Sequence, residues 1–505
     1  MRTCIVKIVM GIIACMPLLS QGAGVPPVVH SKIGATAAAP DGAVSLKVIA
    51  KKQNFDWSAA AAASRDSDVL SPKSVNFSPD GKKFYVNSLE GCMTLVYDAK
   101  TNKKLKVIRH KFDEKDAKLW SKPSGLFPFT HYSKNLNTFW GRPVESAFSH
   151  KGRYLWVPYY RRSFDLNAQD PSAVAIIDTR SDSIIRLMET GPLPKMVACS
   201  HDGRHMAISH WGNNTVGIID ISSASPNDWH YVSCVTIDYK LNLNYSLTAK
   251  VDRDSGSGYM LRGTVYTPDD RYLLVGCMGG AGGIGVVDMK DYSYVGRITG
   301  INNARHLVMT DNYLFASRNS AGIVQKIPLD SVLNCIHKME QQGTKTALMT
   351  GWIACQVGTG TRTIELSPSG NFAFAACNSA SKLCVIDTRT MKMITSIDID
   401  SYPVGLDISR DGSKVIVTSQ GRQGCGGNAV NIVEVTYATP EPDITEKPAA
   451  EGDAETAEQE GDEAKTAEAS SVDMKTIAYI GIGVFALIAL GLIATLFMRK
   501  RRKKQ

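Results

Sequence analysis

An all-β fold, a seven-bladed β-propeller followed by a single C-terminal transmembrane α-helix, is what this 505-residue sequence predicts. Three observations carry that expectation. A strand–turn–strand unit recurs seven times between residues 44 and 437. An uncharged run of 22 residues, 477–498, ends in a basic cluster. The first 22 residues have the charge and apolar layout of an export signal.

The repeat is clearest in its first copy. Val75-Asn76-Phe77 reads as a strand, Ser78-Pro79-Asp80-Gly81 as a turn, Phe84-Tyr85-Val86-Asn87 as a second strand and Thr94-Leu95-Val96-Tyr97-Asp98 as a third. Later turns begin at Ser149, Ser200, Thr267, Thr310, Ser367 and Ser409. Third strands end in an acid at Asp178, Asp220, Asp288, Asp387 and Glu434, while the fifth copy departs with Gln325-Lys326-Ile327-Pro328. A unit of four short antiparallel strands is apolar on both faces and buries them only against neighbours, so seven units close into a ring. Asp-Gly turns supply the positive φ that tight hairpins need. The last copy runs out near Tyr437 after three strands, and residues 44–50 are expected to supply the fourth.

This pattern resembles the YVTN-type β-propeller repeat of YncE-like and lactonase-like propellers, most closely from Ser367-Pro368-Ser369-Gly370 through Cys384-Val385-Ile386-Asp387-Thr388. The resemblance covers residues 44–437. It implies a fold strongly and an activity weakly, because propellers host many unrelated functions.

The ends carry targeting information. Arg2 and Lys7 precede an apolar run to Leu19, with small Ser20 and Gly22 at a cleavage-compatible position, so 1–22 read as a secretory signal. Ile12-Ile13-Ala14-Cys15 offers a lipoprotein-type alternative. The run 477–498 gives ~33 Å of helix, enough for a hydrocarbon core of ~30 Å. Six consecutive basic residues from Arg499 to Lys504 place the tail 499–505 in the cytoplasm. Residues 439–473 hold 12 Asp/Glu against 2 Lys and read as a disordered acidic linker. The expected location is the cell membrane, single-pass, with the propeller periplasmic or on the cell surface.

Net charge is +9 for the chain and +10 for residues 24–438 alone. A basic body suits acidic partners: an anionic small molecule or polymer, or an envelope protein. Nucleic acid is a weaker expectation outside the cytoplasm. Nine cysteines remain after the signal, without a CxxC motif. Most are expected as buried thiols, with Cys335–Cys355 and Cys377–Cys384 as possible disulfides.

Function is sought on one face. Loops entering each first strand, and loops joining strands two and three, share the face that carries most of the insertions: 109–141 between blades one and two, 160–172 within blade two, 224–261 between blades three and four, and 330–361 between blades five and six, where Asp330–Gln342 reads as a helix that could lie on either face. The residue five before each Ser/Thr turn residue reads Lys73, Val144, Lys195, Arg262, Arg305, Arg362 and Val404. Five of the seven are basic, at the position where each inner strand starts. A ring of cations there suits carboxylate or phosphate; the structural alternative is pairing with the channel carboxylates Glu145, Glu365 and Asp407. The aromatic insertion (Trp120, Phe127, Phe129, His131, Tyr132, Phe139, Trp140), with Tyr159, Tyr160, Arg161 and Arg162, either stacks on a ligand or makes its own small core. His210, Trp211 and Arg318 occupy comparable loop starts. The candidate ligand-binding residues are therefore Lys73, Lys195, Arg262, Arg305, Arg362, Arg318, His210, Trp140, Tyr159 and Arg161.

No catalytic constellation, metal cluster or cofactor motif stands out. The run Gly279-Gly280-Ala281-Gly282-Gly283 lies between two strands and reads as a blade loop. His201, His205 and His210 share a hairpin without metal-ligand geometry. The favoured function is a non-enzymatic binding or scaffolding module of the cell envelope. The alternatives are a lactonase-like hydrolase using the channel carboxylates and a nucleic-acid-binding propeller.

Overall fold

Seven mainly antiparallel sheets make up the fold in the computed structural model; most are built of consecutive strands, the last is completed by N-terminal strands, and one gains a parallel strand, Thr346–Leu348. It describes residues 28–421 and 427–444. Blade one runs from the axis outward as Pro72–Phe77, Lys83–Ser88, Met93–Asp98 and Lys104–Arg109. Blades three and six repeat this four-strand order from Pro194 and Thr361. The turns follow one recipe. Ser78 Oγ accepts from Lys83 N at 2.9 Å and donates to Asp80, while Gly81 sits at φ +68°. Thr267 with Asp269, and Ser409 with Asp411, repeat the side-chain pair.

Each blade alone would expose two apolar faces, and the core shows how they are covered. Seven large apolar clusters lie one at each blade–blade junction. Ile416, Val430 and Ile432 of blade seven meet Phe84, Val86 and Tyr97 of blade one, so the series closes on itself.

Closure uses the N-terminal segment, as expected. Val44–Gln53 pairs antiparallel with Ala429–Tyr437, from Val44 opposite Tyr437 to Gln53 opposite Ala429. Val44, Leu46 and Val48 alternate inward and are fully buried against blade six. Thr36–Ala38 adds a fifth strand outside it. Lys51 Nζ is ion-paired to the fully buried Asp400 at 2.8 Å, and the single hydroxyl of Ser31 lies within hydrogen-bond distance of both Asp400 and Asn431.

Two insertions are built differently from the expectation. The insertion 330–361 falls mainly before the last strand of blade five, not between blades five and six, and its Thr346–Leu348 pairs parallel with Ser293–Thr299 of blade four. After the third strand, Ile323–Pro328, comes the helix Leu329–Gln342, and the fourth strand, Ile353–Gln356, follows it. The helix buries Val332, Cys335, Ile336 and Met339 into the junction of blades four and five. This i, i+3, i+4, i+7 spacing gives one apolar stripe. The segment 109–141 extends blade two. Lys111–Phe112 and Phe139–Pro143 join its sheet, and Phe112, Trp120 and Phe139 pack with Tyr159 over the blade one–two junction. The insertion thus enlarges the core of the blade one–two junction and forms no separate core among the described residues.

All eight cysteines among the described residues carry free thiols, including Cys335, Cys355, Cys377 and Cys384. Among the described residues no helix is long and apolar enough to cross a membrane. The expected signal 1–22, transmembrane run 477–498 and tail 499–505 lie outside the described residues, as does the expected linker beyond residue 444.

Candidate functional site: a cation-lined cavity

Five aligned cations become neighbours because of a device at the start of the inner strands. In blades one, three, four, five and six the register between the first two strands shifts at that point. The shifts bracket Lys73, Lys195, Arg262, Arg305 and Arg362. A β-bulge re-aims a side chain that regular pleating would send into a blade junction. Two positions earlier the chain turns through left-handed φ: Ser71, Leu193, Met260, Asn303 and Gly360, with Tyr402 at the same place in blade seven. Such φ is rare for bulky residues such as Leu193 and Met260.

All five side chains line one cavity of about 640 Å³ at the insertion-bearing mouth of the channel. Arg142, Arg161, Tyr160, Trp211, Met278, Tyr402 and Gln420 complete most of the wall, and no residue of 109–141 contributes. Lys73, Lys195, Arg262 and Arg362 are buried and Arg305 is half-buried. Arg253 holds the rim together: its guanidinium donates to the carbonyls of Asn167, Ala168 and Gly212, joining three loops.

The cations are poorly compensated. Arg262 Nη2 is paired with Glu145 at 2.9 Å. Among the described residues, no other carboxylate is ion-paired to any of the five. Lys195 Nζ lies 3.9 Å from the Tyr160 ring centroid and 5.0 Å from that of Trp211. Arg305 Nη1 contacts Met278 Sδ at 3.0 Å. Arg262 Nη1, Arg305 Nε, and Nε and Nη2 of Arg362 are buried without an acceptor among the described residues.

Burial, then the charges of Arg362, Arg262 and Lys195, push the Lys73 amine well below the ordinary lysine value, with Glu145 opposing. Burial and Arg262 do the same to Lys195. Burial and Arg262 lower Arg362 to about 10, so it stays charged at neutral pH. Burial alone would raise Glu145, but Arg262, Lys73 and Arg362 hold it below the usual carboxylate range. Burial is the leading cause for both amines, and the neighbouring cations add to it.

The other predicted site residues fall elsewhere, apart from Arg161, which lines the cavity and donates to the Leu166 carbonyl. Tyr159 is fully buried between blades one and two, with its hydroxyl 2.9 Å from His110 Nδ1. His210 is fully buried; Gly191 N donates to its Nε2, and Nδ1 meets Thr215 Oγ1 at 2.8 Å. Burial lowers its imidazole to about 3, which keeps it neutral. Trp140 is exposed beside Lys111, and Arg318 Nε donates to the Asn302 carbonyl; neither lines the cavity. Arg142, Met278, Tyr402 and Gln420 were absent from the sequence-based set. Met278 and Gln420 follow second strands, the same position as Trp211, and that positional rule was the signal available for them.

The channel carboxylates split. Glu145 belongs to the cation mouth. Asp407 Oδ2 instead accepts from Phe77 N at 2.6 Å, and burial raises its carboxyl to about 6. Burial and the neighbouring Asp407 raise Glu365 well above its ordinary value. Pairing with Glu365 and Asp407 therefore does not account for the cation ring. Among the described residues no cluster of His, Cys, Asp or Glu has metal-binding geometry.

No protein-family model matches this chain, and no curated protein matches it. Among solved structures, hydrazine synthase of Kuenenia stuttgartiensis matches with a TM-score of 0.50 at 13% identity, covering 75% of this chain and 99% of that chain. The Myceliophteria thermophila Cps50 (Swd1) β-propeller domain matches with a TM-score of 0.47 at 12% identity, covering 72% and 97%. At such identities the likeness concerns fold alone. The chain is a seven-bladed β-propeller, a scaffold that leaves the function to be argued from its cavity.

Proposed function

We propose that this chain is a YVTN-type propeller, anchored in the cell membrane by 477–498, that binds an anionic ligand outside the cytoplasm without chemical turnover. One observation carries the ligand reading: five inner-strand cations converge on one cavity, and among the described residues a single carboxylate is paired to them. Guanidinium groups with unfilled N–H positions grip carboxylate or phosphate oxygens through two parallel hydrogen bonds. The cavity volume suits a small molecule or the end of a chain, not a duplex. The anchor reading rests on the length of 477–498 and on the basic tail that follows it.

The test is calorimetric titration of the detergent-solubilised full chain with citrate and with pyrophosphate, repeated with Arg262, Arg305 and Arg362 all changed to Gln. Binding weakened at least 30-fold in the triple variant is expected; unchanged binding overturns the reading. A hydrolytic reading has one supporting observation, since a carboxyl raised to about 6 suits general acid–base work. It requires lactone turnover that disappears in Asp407→Asn.

A further inference from the structure

The composition of the cavity wall says more than that the ligand is negative. Seven cationic side chains line it: Lys73, Arg142, Arg161, Lys195, Arg262, Arg305 and Arg362. Against them stand Glu90, paired with Arg142 at 2.9 Å, the exposed Asp254, and Glu145 behind Arg262. Four of the innermost cations, Lys73, Lys195, Arg305 and Arg362, have no carboxylate within ion-pair distance among the described residues. One added negative charge would leave most of that excess uncompensated. Each further charge on the same molecule meets another cation without a second loss of translational freedom. Side chains buried in the wall are screened less than surface charges, so those increments exceed what the same pairs would give on the open surface.

Glu145 has a distinct place in this balance. Its carboxylate occupies one N–H of Arg262, and it is held ionised by the same cations a ligand would use. Arg262 Nη1 remains without an acceptor among the described residues. Glu145 is thus an internal competitor as well as a positioning group for Arg262.

Resting on the anion-binding reading above, we propose that the cavity selects a compact oxyanion carrying two or more negative charges, a polycarboxylate or a condensed phosphate, and that Glu145 is the counterion this ligand must outcompete.

The experiment uses the full chain in detergent at low salt, titrated by calorimetry with two charge series: acetate, succinate and citrate, and orthophosphate, pyrophosphate and tripolyphosphate. Affinity should rise at least tenfold per step in one series, and the tighter series names the group recognised. Glu145→Gln should tighten the singly charged members at least tenfold. A flat affinity across both series, with binding still lost in the Arg262/Arg305/Arg362 triple variant, overturns the polyanion inference and leaves simple anion binding standing. No binding of any anion sinks both. Glu145→Gln that weakens binding removes Glu145 from the competitor role; the wild-type series decides the ligand class even if that variant folds poorly.

Discussion

Two neighbouring, half-buried carboxyls on the inner strands, Glu365 and Asp407, give the clearest consequence of a single residue's surroundings. Glu365 is raised by burial and by Asp407, so the folded protein holds its proton at a pH where the unfolded chain has lost it. The stability it contributes is complete below about pH 4 and declines as pH rises through its folded-state value. Glu365→Gln keeps the shape and removes the second charge. It should stabilise the protein by on the order of 1–3 kcal/mol at pH 7.5 and change nothing near pH 4, as read from denaturant midpoints across pH. A variant that is less stable than wild type at pH 7.5 would contradict this. At this scale the sequence reveals residue type at an aligned position but not parity. Lys73, Lys195, Arg262, Arg305 and Arg362 were found because one offset recurs. Tyr159 and His210 were expected beside them, yet Tyr160 and Trp211, one residue further on, line the cavity. A step of one residue along a strand changes the face it serves.

Strand starts and insertions are where element-level reading ran out. The Ser/Thr-x-Asp-Gly turns announce themselves, because each residue has a local hydrogen bond or a φ to satisfy. The bulges that aim the five cations involve residues as ordinary as Pro72, Lys73 and Ser74, and carry no local signature. The helix Leu329–Gln342 was legible as a possible helix. Its position inside blade five was not, because the strand after it, Ile353–Gln356, buries only Cys355. That helix should still matter to the core. Ile336 is fully buried and packs at the blade four–five junction. Ile336→Ala should cost about 2–5 kcal/mol in chemical denaturation while leaving anion affinity unchanged.

The whole molecule is held by its junctions, and the ring is only as secure as the last of them. Seven repeats in sequence were enough to predict seven blades, and the unpaired last copy was enough to predict the clasp by residues 44–50. What the sequence did not reveal was the polar lock beside the clasp, since Lys51, Ser31 and Asp400 are ordinary residues at distant positions. Asp400→Ala leaves Lys51 buried without its ion-pair partner at 2.8 Å. Loss of about 3–5 kcal/mol is expected, measurable as a lower denaturant midpoint. Lys51→Met in the same background should recover part of it; no recovery would mean that Asp400 acts through Ser31 and not through Lys51.

The clasp also sets a schedule. Ser31 and its hydrogen-bond partner Asn431 are 400 residues apart. At translation rates of about 5–20 residues per second, the first strand is made roughly 20–80 s before its partner exists. Throughout that interval Val44–Gln53 is an apolar strand with nothing to pair with, and blade seven has no edge to receive it. Blades one to six can assemble as they emerge, but the circle cannot shut until Ala429–Tyr437 arrives. A nascent chain of this protein is therefore an open arc with adhesive ends for most of its synthesis, and the joining of two such arcs is the misassembly it must avoid.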